Sequence, residues 1–446
     1  MICVCPGSRP RSHEILAEAT APASKGAQCV KALQACDAPR HPSGPAPWTW
    51  HRRLAWHHAP VDKLDRYRER VVDSVVPLGT ERLSLAGAAG RYLAEPLLAR
   101  RAAPPFTCSA MDGYAVRAAD VPGPVELPVA GAVYAGDLPG RLRAGEAVRI
   151  FTGAPLPDGA DAVVREESVV LADGRARFRH AASLGENVRP AGEDVAAGAE
   201  ALPAGARLGP RQMGLAAAVD AVEAVVHRKL RVALLSTGDE LVKGRTPDSN
   251  GMVLSGLLRD VGADVERRAV GDELAAIQGA LSEVLATSDA VVTIGGVSIG
   301  ERDHVPAALE RLGAEVRVHG VPMKPGKPFL FAVAGATPVF GLPGSPSACL
   351  VAFEVFVRPA LLRRSGATRI HRAEVPLRLA ESATGRPGRD RFLWAALDGG
   401  RARPLGRDAA QVRGPALAQA LVRIPADQGD VAAGDVVEAW LLGDAG

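Results

Sequence analysis

Two short segments place glycine and carboxylates directly behind apolar runs: Ser236-Thr237-Gly238-Asp239-Glu240 and Gly295-Gly296-Val297-Ser298-Ile299-Gly300-Glu301-Arg302-Asp303. Glycines after a strand let backbone N–H groups approach a phosphate, and a following helix start favours its negative charge. A plain strand–helix turn has the same composition, but two such loops, each ending in carboxylates, favour a ligand site. Neither matches G-x-G-x-x-G or a Walker A motif, so ordinary dinucleotide or P-loop use is not supported. A phosphate-bearing ligand near Glu240 and Asp303 would be repelled unless a cation intervened. Mg²⁺ suits that place, taking one or two carboxylates together with phosphate oxygens. A third loop, Met323-Lys324-Pro325-Gly326-Lys327-Pro328, sets two ammonium groups on a Pro-Gly turn in a chain where Lys is scarce. That arrangement suits an oxyanion such as phosphate. In a fourth, Gly341-Leu342-Pro343-Gly344-Ser345-Pro346-Ser347, Gly, Ser and an early Pro open a helix and offer another anion site. Two further segments, Ser109-Ala110-Met111-Asp112-Gly113-Tyr114-Ala115 and Phe151-Thr152-Gly153-Ala154-Pro155, fit a turn as well as a site when read alone.

Such loops need a sheet to hold them. Between about 230 and 364 the chain alternates short apolar runs with helical patterns: LRVALLST, NGMVLSGLLRDVG, VERRAV, DELAAIQGALSEVLAT, SDAVVTIGG and DHVPAALERLG. This alternation predicts a parallel, doubly wound α/β sheet, with ligands beyond the carboxyl ends of its strands. The last apolar strand, FLFAV, is followed by a helix from Ala348 to Arg364. Residues 107–194 carry short apolar runs broken by Gly and Pro, predicting a small β-domain. Upstream, VDKLDRYRERVVDSV places Leu64, Tyr67, Val71, Val72 and Val75 on one helical face, and SLAGAAGRYLAEPL continues as a second helix. PRQMGLAAAVDAV returns to helix, and AEVPLRLA, RFLWAAL and DVVEAWLL predict a C-terminal β-domain.

The 446 residues exceed one hydrophobic core and imply several domains. A formal net charge of +3, with acids and bases mixed, leaves no basic stripe for nucleic acid. No apolar run reaches the roughly 20 residues of a membrane helix. Cys3, Cys5, Cys29, Cys36, Cys108 and Cys349 form no disulfide framework, and the start lacks the apolar core of a signal peptide, so a reducing cytoplasm is expected. Residues 1–60 are rich in Pro, Arg and His without a sustained period, which predicts disorder. A metal site at Cys3, Cys5, Cys29 and Cys36 would need a repeated C-x-x-C that is missing, and His51, His57 and His58 fit solvated tail residues better than ligands.

Together, SAMDGYAVR, GEAVRIFTGAPLPDGADAVV, GENVRPAGEDV, RVALLSTGDEL, DSNGMVL, GGVSIGERD, MKPGKP and GLPGSP resemble, in order, the molybdopterin molybdenumtransferase (molybdenum insertase) family, which includes the E domain of gephyrin. The resemblance covers roughly residues 61–446. It implies an α/β plus β fold: an elongated, multidomain protomer of a homodimer. Its parts would be a helical dimerisation and linker segment (61–106 with 195–228), a small β-domain (107–194), an α/β molybdopterin-binding domain (229–369) and a C-terminal β-barrel-like domain (370–446). It also implies an active site shared between protomers, with Asp112, Thr152 and Asp194 of one facing Glu240, Asp303 and Lys324 of the other. The implied reaction joins adenylylated molybdopterin and molybdate with Mg²⁺ and releases AMP. By that resemblance Glu240, Asp272 and Asp303 hold Mg²⁺ or the attacking water, Lys324 and Lys327 compensate anionic charge, and Asp112 and Asp194 orient substrate or move protons. The remaining contacts to the pterin nucleotide would come from Ser109, Thr237, Gly238, Asp239, Ser249, Asn250, Gly295, Gly296, Ser298, Gly300, Lys327, Gly344, Ser345 and Pro346. Proteins before and after this step in the cofactor pathway would be partners.

Two positions depart from the family pattern. Ser345 stands where the family often has Asn, and Gly320 where it often has Lys, with Arg317 and His319 near enough to re-supply a cation. Two rival readings stand beside this one, the first of the same fold. One is a non-catalytic protein that holds finished cofactor or serves as a scaffold; the acids and Lys324 argue against it and Gly320 for it. The other is a pterin adenylyltransferase, suggested by the α/β segment alone and disfavoured by SAMDGYA, TGAP and the C-terminal β-domain.

Overall fold

The computed structural model describes residues 63–298, 300, 301, 303–406 and 411–443. The expectations for residues 1–60 lie outside them. The carboxyl-edge loops hang on a six-stranded sheet whose four consecutive parallel strands are Asp264–Val270, Arg231–Thr237, Ala290–Ile294 and Thr337–Leu342. Arg231–Thr237 and Ala290–Ile294 are Val/Leu/Ile/Ala-rich and almost wholly buried, as strands covered on both faces must be. Helices Ser249–Asp260, Leu274–Leu285 and Val305–Arg311 form where the apolar period predicts them. Two apolar clusters sandwich the sheet: one contains Leu234, Leu254, Leu258 and Phe340, the other Leu235, Ile277, Leu281 and Leu309.

The sheet is mixed rather than all parallel. Leu330–Ala334 and Thr337–Leu342 are joined by two residues only, Gly335 and Ala336, and so short a link permits an antiparallel pair alone. Glu315–His319 then adds antiparallel to Leu330–Ala334. The final helix is also less regular than expected. Pro346–Ala352 passes into a π-helical turn, Phe353–Val357, before α-helix resumes at Arg358–Arg364. The π turn carries Glu354, whose carboxylate receives two hydrogen bonds of 3.0 Å from Arg372.

The N-terminal helix, Lys63–Asp73, packs Leu64 and Val71 into the α/β core, and Val75 follows just beyond its end. SLAGAAGRYLAEPL, expected as helix, forms only a 3₁₀ turn at Ala86–Ala88 and extended pieces. Gly90 takes φ +78°, outside the helical region, and the backbone of Leu93 and Ala94 bonds across to Ala206 and Val225 instead. Thr80–Ser84 pairs antiparallel with Glu223–His227, and the helix Pro210–Ala218 covers this small unit. Inserted between its halves is a six-stranded β-sheet built from segments between Gly113 and Phe178, with a core around Tyr114, Val164 and Phe178. At the C-terminus, five strands close into a barrel in the order Asp390–Asp398, Arg401–Pro404, Glu374–Leu379, Val436–Leu441 and Ala420–Ile424, the last pairing back to the first.

Candidate functional site

The parallel register sets the ends of three strands side by side, with Thr237 opposite Val270 and Ser236 opposite Ile294. Gly295 and Gly296 follow with φ +84° and +65°, and a Cβ on Gly295 would lie 2.8 Å from Thr237 Oγ1. Only glycine permits that approach, and it leaves bare backbone facing Gly344, whose own Cβ would stand 3.8 Å from Gly295 Cα. Asn250 Nδ2 donates to Gly344 O at 2.7 Å, so the start of helix Ser249–Asp260 holds the Gly344-Ser345-Pro346 turn in place. That helix is itself fixed by Asp248, which accepts from Gly251 N at 2.8 Å and from Ser236 Oγ at 2.7 Å. Ser345 is the residue before the next helix, and its side chain makes no capping bond.

The carboxylates divide into two kinds. Asp239 and Asp272 cap one another: Asp239 N donates to Asp272 Oδ2 at 3.2 Å and Asp272 N to Asp239 Oδ1 at 3.3 Å. Lys243 also pairs with Asp239 at 2.7 Å. Glu240 is exposed and folds its carboxylate back over Gly238, so a Cβ there would meet Glu240 Oε1 at 2.6 Å. Asp303 accepts from Gly300 N at 2.7 Å, and Ser298 is exposed on the same loop. Thr237 Oγ1 donates inward to Ile294 O at 3.1 Å. Among the described residues, no three His, Cys, Asp or Glu side chains gather as a metal-holding group.

Lys324 sits elsewhere than a free β-turn. Met323 and Lys324 pair in parallel with Asp390 and Arg391 of the barrel, and Asp390 N donates to Pro322 O at 2.9 Å. Lys324 and Arg391 are therefore lateral neighbours on one face. With Ser347, Trp394, Gln411 and Pro415 they line a cleft between the α/β sheet and the barrel. Trp394 Nε1 donates to Ser347 Oγ at 2.8 Å, fixing the hydroxyl at the head of the helix, and Arg391 also donates to Thr384 O. Two cations and a hydroxyl in one cleft suit a small oxyanion. Lys327 is exposed on the same loop. Gly320 has φ +83°, a conformation in which a lysine would be strained. Arg317 is ion-paired with Glu315 at 2.7 Å, and His319 Nε2 lies 3.0 Å from Val297 O.

In the inserted β-domain, Thr152 gives both its N–H and its hydroxyl to Asp112 Oδ1, each at 2.7 Å. Those two bonds, the hydroxyl's first, hold the Asp112 carboxyl below the usual range. Ser109 is buried, and its hydroxyl donates to Met111 O at 2.6 Å, closing the turn that presents Asp112. Asp194 takes a two-pronged bond from Arg189, at 2.9 and 3.0 Å, and Arg189 also holds Glu193. The Asp112–Thr152 pair belongs to a different sheet, with its own apolar cores, from the loops bearing Glu240, Asp303 and Lys324.

Sequence reasoning missed Arg391, Ser347, Trp394 and Gln411. Ser347 lay at the end of a loop already singled out, but nothing in RFLWAAL distinguished Arg391 from an ordinary barrel strand. Only the pairing with Met323–Lys324 reveals it.

The fold and these loops define a multidomain α/β protein with ligand positions at the carboxyl edge of its sheet and a cationic cleft against a barrel. Residues 63–219 match the MoeA N-terminal region (domain I and II), 233–363 the probable molybdopterin binding domain, and 376–442 the MoeA C-terminal region (domain IV). The chain is 37% identical to the molybdopterin molybdenumtransferase of Haemophilus influenzae over 314 residues, covering 68% of this chain and 78% of that one. It is 37% identical to molybdopterin molybdenumtransferase 2 of Mycobacterium tuberculosis over 381 residues, covering 80% and 94%. A crystal structure of the molybdopterin biosynthesis moeA protein from Pyrococcus horikoshii OT3 superposes with a TM-score of 0.73 at 26% identity, over 85% of this chain and 99% of that one. The chain belongs to the molybdopterin molybdenumtransferase (MoeA) family.

Proposed function

We propose that this protein is an enzyme that inserts molybdate into adenylylated molybdopterin and releases AMP. The observation that carries the reading is the meeting of bare-backbone glycine loops and exposed carboxylates at one sheet edge with the Lys324–Arg391–Ser347 cleft at its flank. The loops suit a phosphate-bearing pterin nucleotide, and the cleft suits molybdate. Glu240, Asp272 and Asp303 are the residues that would hold Mg²⁺, which would neutralise the pyrophosphate link. Mg²⁺ needs only one or two carboxylates beside phosphate oxygens, so the exposed Glu240 and the half-buried Asp303 fit it without a three-ligand protein cage. Asp112, kept ionised by Thr152, and Asp194 would accept protons from the dithiol or orient the pterin. Asn250 and Gly344 would hold the turn against which the phosphate rests.

The same reading makes the protein a cytoplasmic homodimer in which the Asp112–Thr152 sheet of one protomer completes the Glu240–Lys324 edge of its partner. The domain boundaries 61–106 with 195–228, 107–194, 229–369 and 370–446 belong to this proposal. The test supplies purified protein with enzymatically prepared adenylylated molybdopterin and follows AMP release and cofactor formation against Mg²⁺ and molybdate concentration. Lys324→Ala should raise the molybdate requirement roughly 10- to 150-fold, the effect of losing one charge-assisted hydrogen bond of about 1.5–3 kcal/mol. Asp303→Asn, which keeps the shape of the side chain, should impair Mg²⁺-dependent AMP release. Wild-type kinetics in both folded variants would place the chemistry elsewhere, and absence of turnover in the wild type would leave a holding or scaffold role.

A further inference from the structure

In the inserted β-domain, Ala147–Ile150 runs parallel to Val125–Val133, with Val133 opposite Ile150. The next residue of each strand is aromatic. Phe151 N donates to Val133 O at 3.3 Å, and the Tyr134 and Phe151 rings stack with centroids 4.6 Å apart and planes 11° from parallel. The Arg149 guanidinium lies 5.1 Å from the Phe151 centroid and is held by Glu166 at 2.6 Å. Asp137 accepts from Tyr134 N at 2.7 Å and fixes the turn that carries the tyrosine. Neither ring belongs to the apolar cores of this domain, which are built on Tyr114 and Phe178 and on Ala115, Ile150, Ala154 and Val163. Tyr134 remains 55% exposed. Phe151 is followed directly by Thr152, the residue that donates twice to Asp112. One rim of the domain thus presents a flat π surface, a guanidinium and an ionised acid together.

We propose that the Tyr134–Phe151 pair is a stacking platform for a flat heteroaromatic ring of the substrate, the pterin or the adenine. This inference rests on the reaction proposed above and adds the residue that orients the substrate on the β-domain side. Heteroaromatic rings prefer offset-stacked contact with aromatic faces. Phe151 beneath Tyr134 holds its ring in one plane, so little side-chain freedom is left to lose on binding. Thr152, the next residue, and Asp112, to which it donates, would meet the polar edge of a ring so placed.

The test compares Tyr134→Ala and Tyr134→Phe with the wild type. Binding of AMP and of 6-hydroxymethylpterin is measured separately by calorimetry, together with KM and kcat for adenylylated molybdopterin. Tyr134→Ala should weaken one of the two probes by roughly 5- to 150-fold, the range for removing one base–aromatic stack. It should raise KM more than it lowers kcat, and Tyr134→Phe should restore both. The probe that loses affinity identifies the ring. Unchanged affinity for both probes and an unchanged KM in folded Tyr134→Ala would overturn the platform while leaving the reaction standing. A wild type that turns nothing over but binds a probe in a Tyr134-dependent way would overturn the reaction alone. No turnover and no probe binding would overturn both.

Discussion

Replacing Arg423 with Met tests how firmly the barrel grips the strand that carries Lys324. Arg423 Nε donates to Asp390 at 2.6 Å, and its two terminal nitrogens reach Asp65, on the N-terminal helix, at 3.1 and 3.3 Å. Burial would pull the Arg423 guanidinium down, but the Asp390 and Asp65 carboxylates outweigh it and hold the charge more firmly than usual. The Asp390 side chain is 0% exposed, and its backbone pairs with Met323. Removing the arginine breaks a buried ion pair, a change that costs about 3–5 kcal/mol, although Asp390 still accepts from Ala426 N at 3.1 Å. For an m of about 2 kcal/mol/M, the urea midpoint of the transition that unfolds the barrel should fall by roughly 1.5–2.5 M. Adding Asp390→Asn to Arg423→Met removes the buried negative charge and should recover part of the loss, which a double-mutant cycle would measure. Because the Lys324 strand hangs on Asp390 and Arg391, the single variant should also need more molybdate for half-maximal activity. Stability within about 1 kcal/mol of wild type, or a double variant no better than the single, would refute the reasoning.

Mixing Asp112→Ala protomers with Glu240→Ala protomers should restore activity through one intact site in each heterodimer; mixtures as inactive as either parent, with heterodimers present, would show that the sites are not shared. Burial alone would raise the Asp289 carboxyl, yet hydrogen bonds from Arg228 and Arg231 hold it below the usual 3.8. Its contribution to stability is therefore complete above about pH 4 and lost as pH falls through the lowered folded-state value, so acid titration of Asp289→Asn should show a flatter low-pH limb than wild type. A chain starting near Val61 should keep the melting temperature and activity of the full chain, because residues 1–60 offer no periodic apolar face to offset the entropy of ordering, about 1–2 kcal/mol per residue. A large drop in either would refute this.

The α/β sheet was legible because its central strands are buried on both faces and its helices keep a clean apolar period. Leu254 and Leu258 in one helix and Ile277, Leu281 and Val284 in another show that period and are buried. The edge hairpin was not legible, since FLFAV says nothing of direction until its two-residue link to Thr337–Leu342 is seen. SLAGAAGRYLAEPL misled for a different reason. Its alanines and leucines have helical propensity, but its glycines break the run and its partners lie in residues 206–226, supplied by tertiary pairing. At the site, sequence order brought out the loops but not their company. Asp112 and Thr152 look like separate turn residues until one donates twice to the other, and Arg391 becomes Lys324's neighbour only through barrel pairing.

The insertion of the β-domain into the two-part unit sets an order of events during synthesis. Roughly 140 residues separate Ser84 from its partner Glu223, so at ribosomal speeds of about 5–20 residues per second the first strand waits roughly 7–28 s for the second. In that interval the segments from Gly113 to Phe178 emerge complete and can fold on their own contacts. Ala103 and Val195, bridged to each other in the finished protein, mark where the early-folding insert leaves the chain and returns to it. The nascent polypeptide can thus build its acid-and-aromatic rim before any strand of the cationic cleft has left the ribosome.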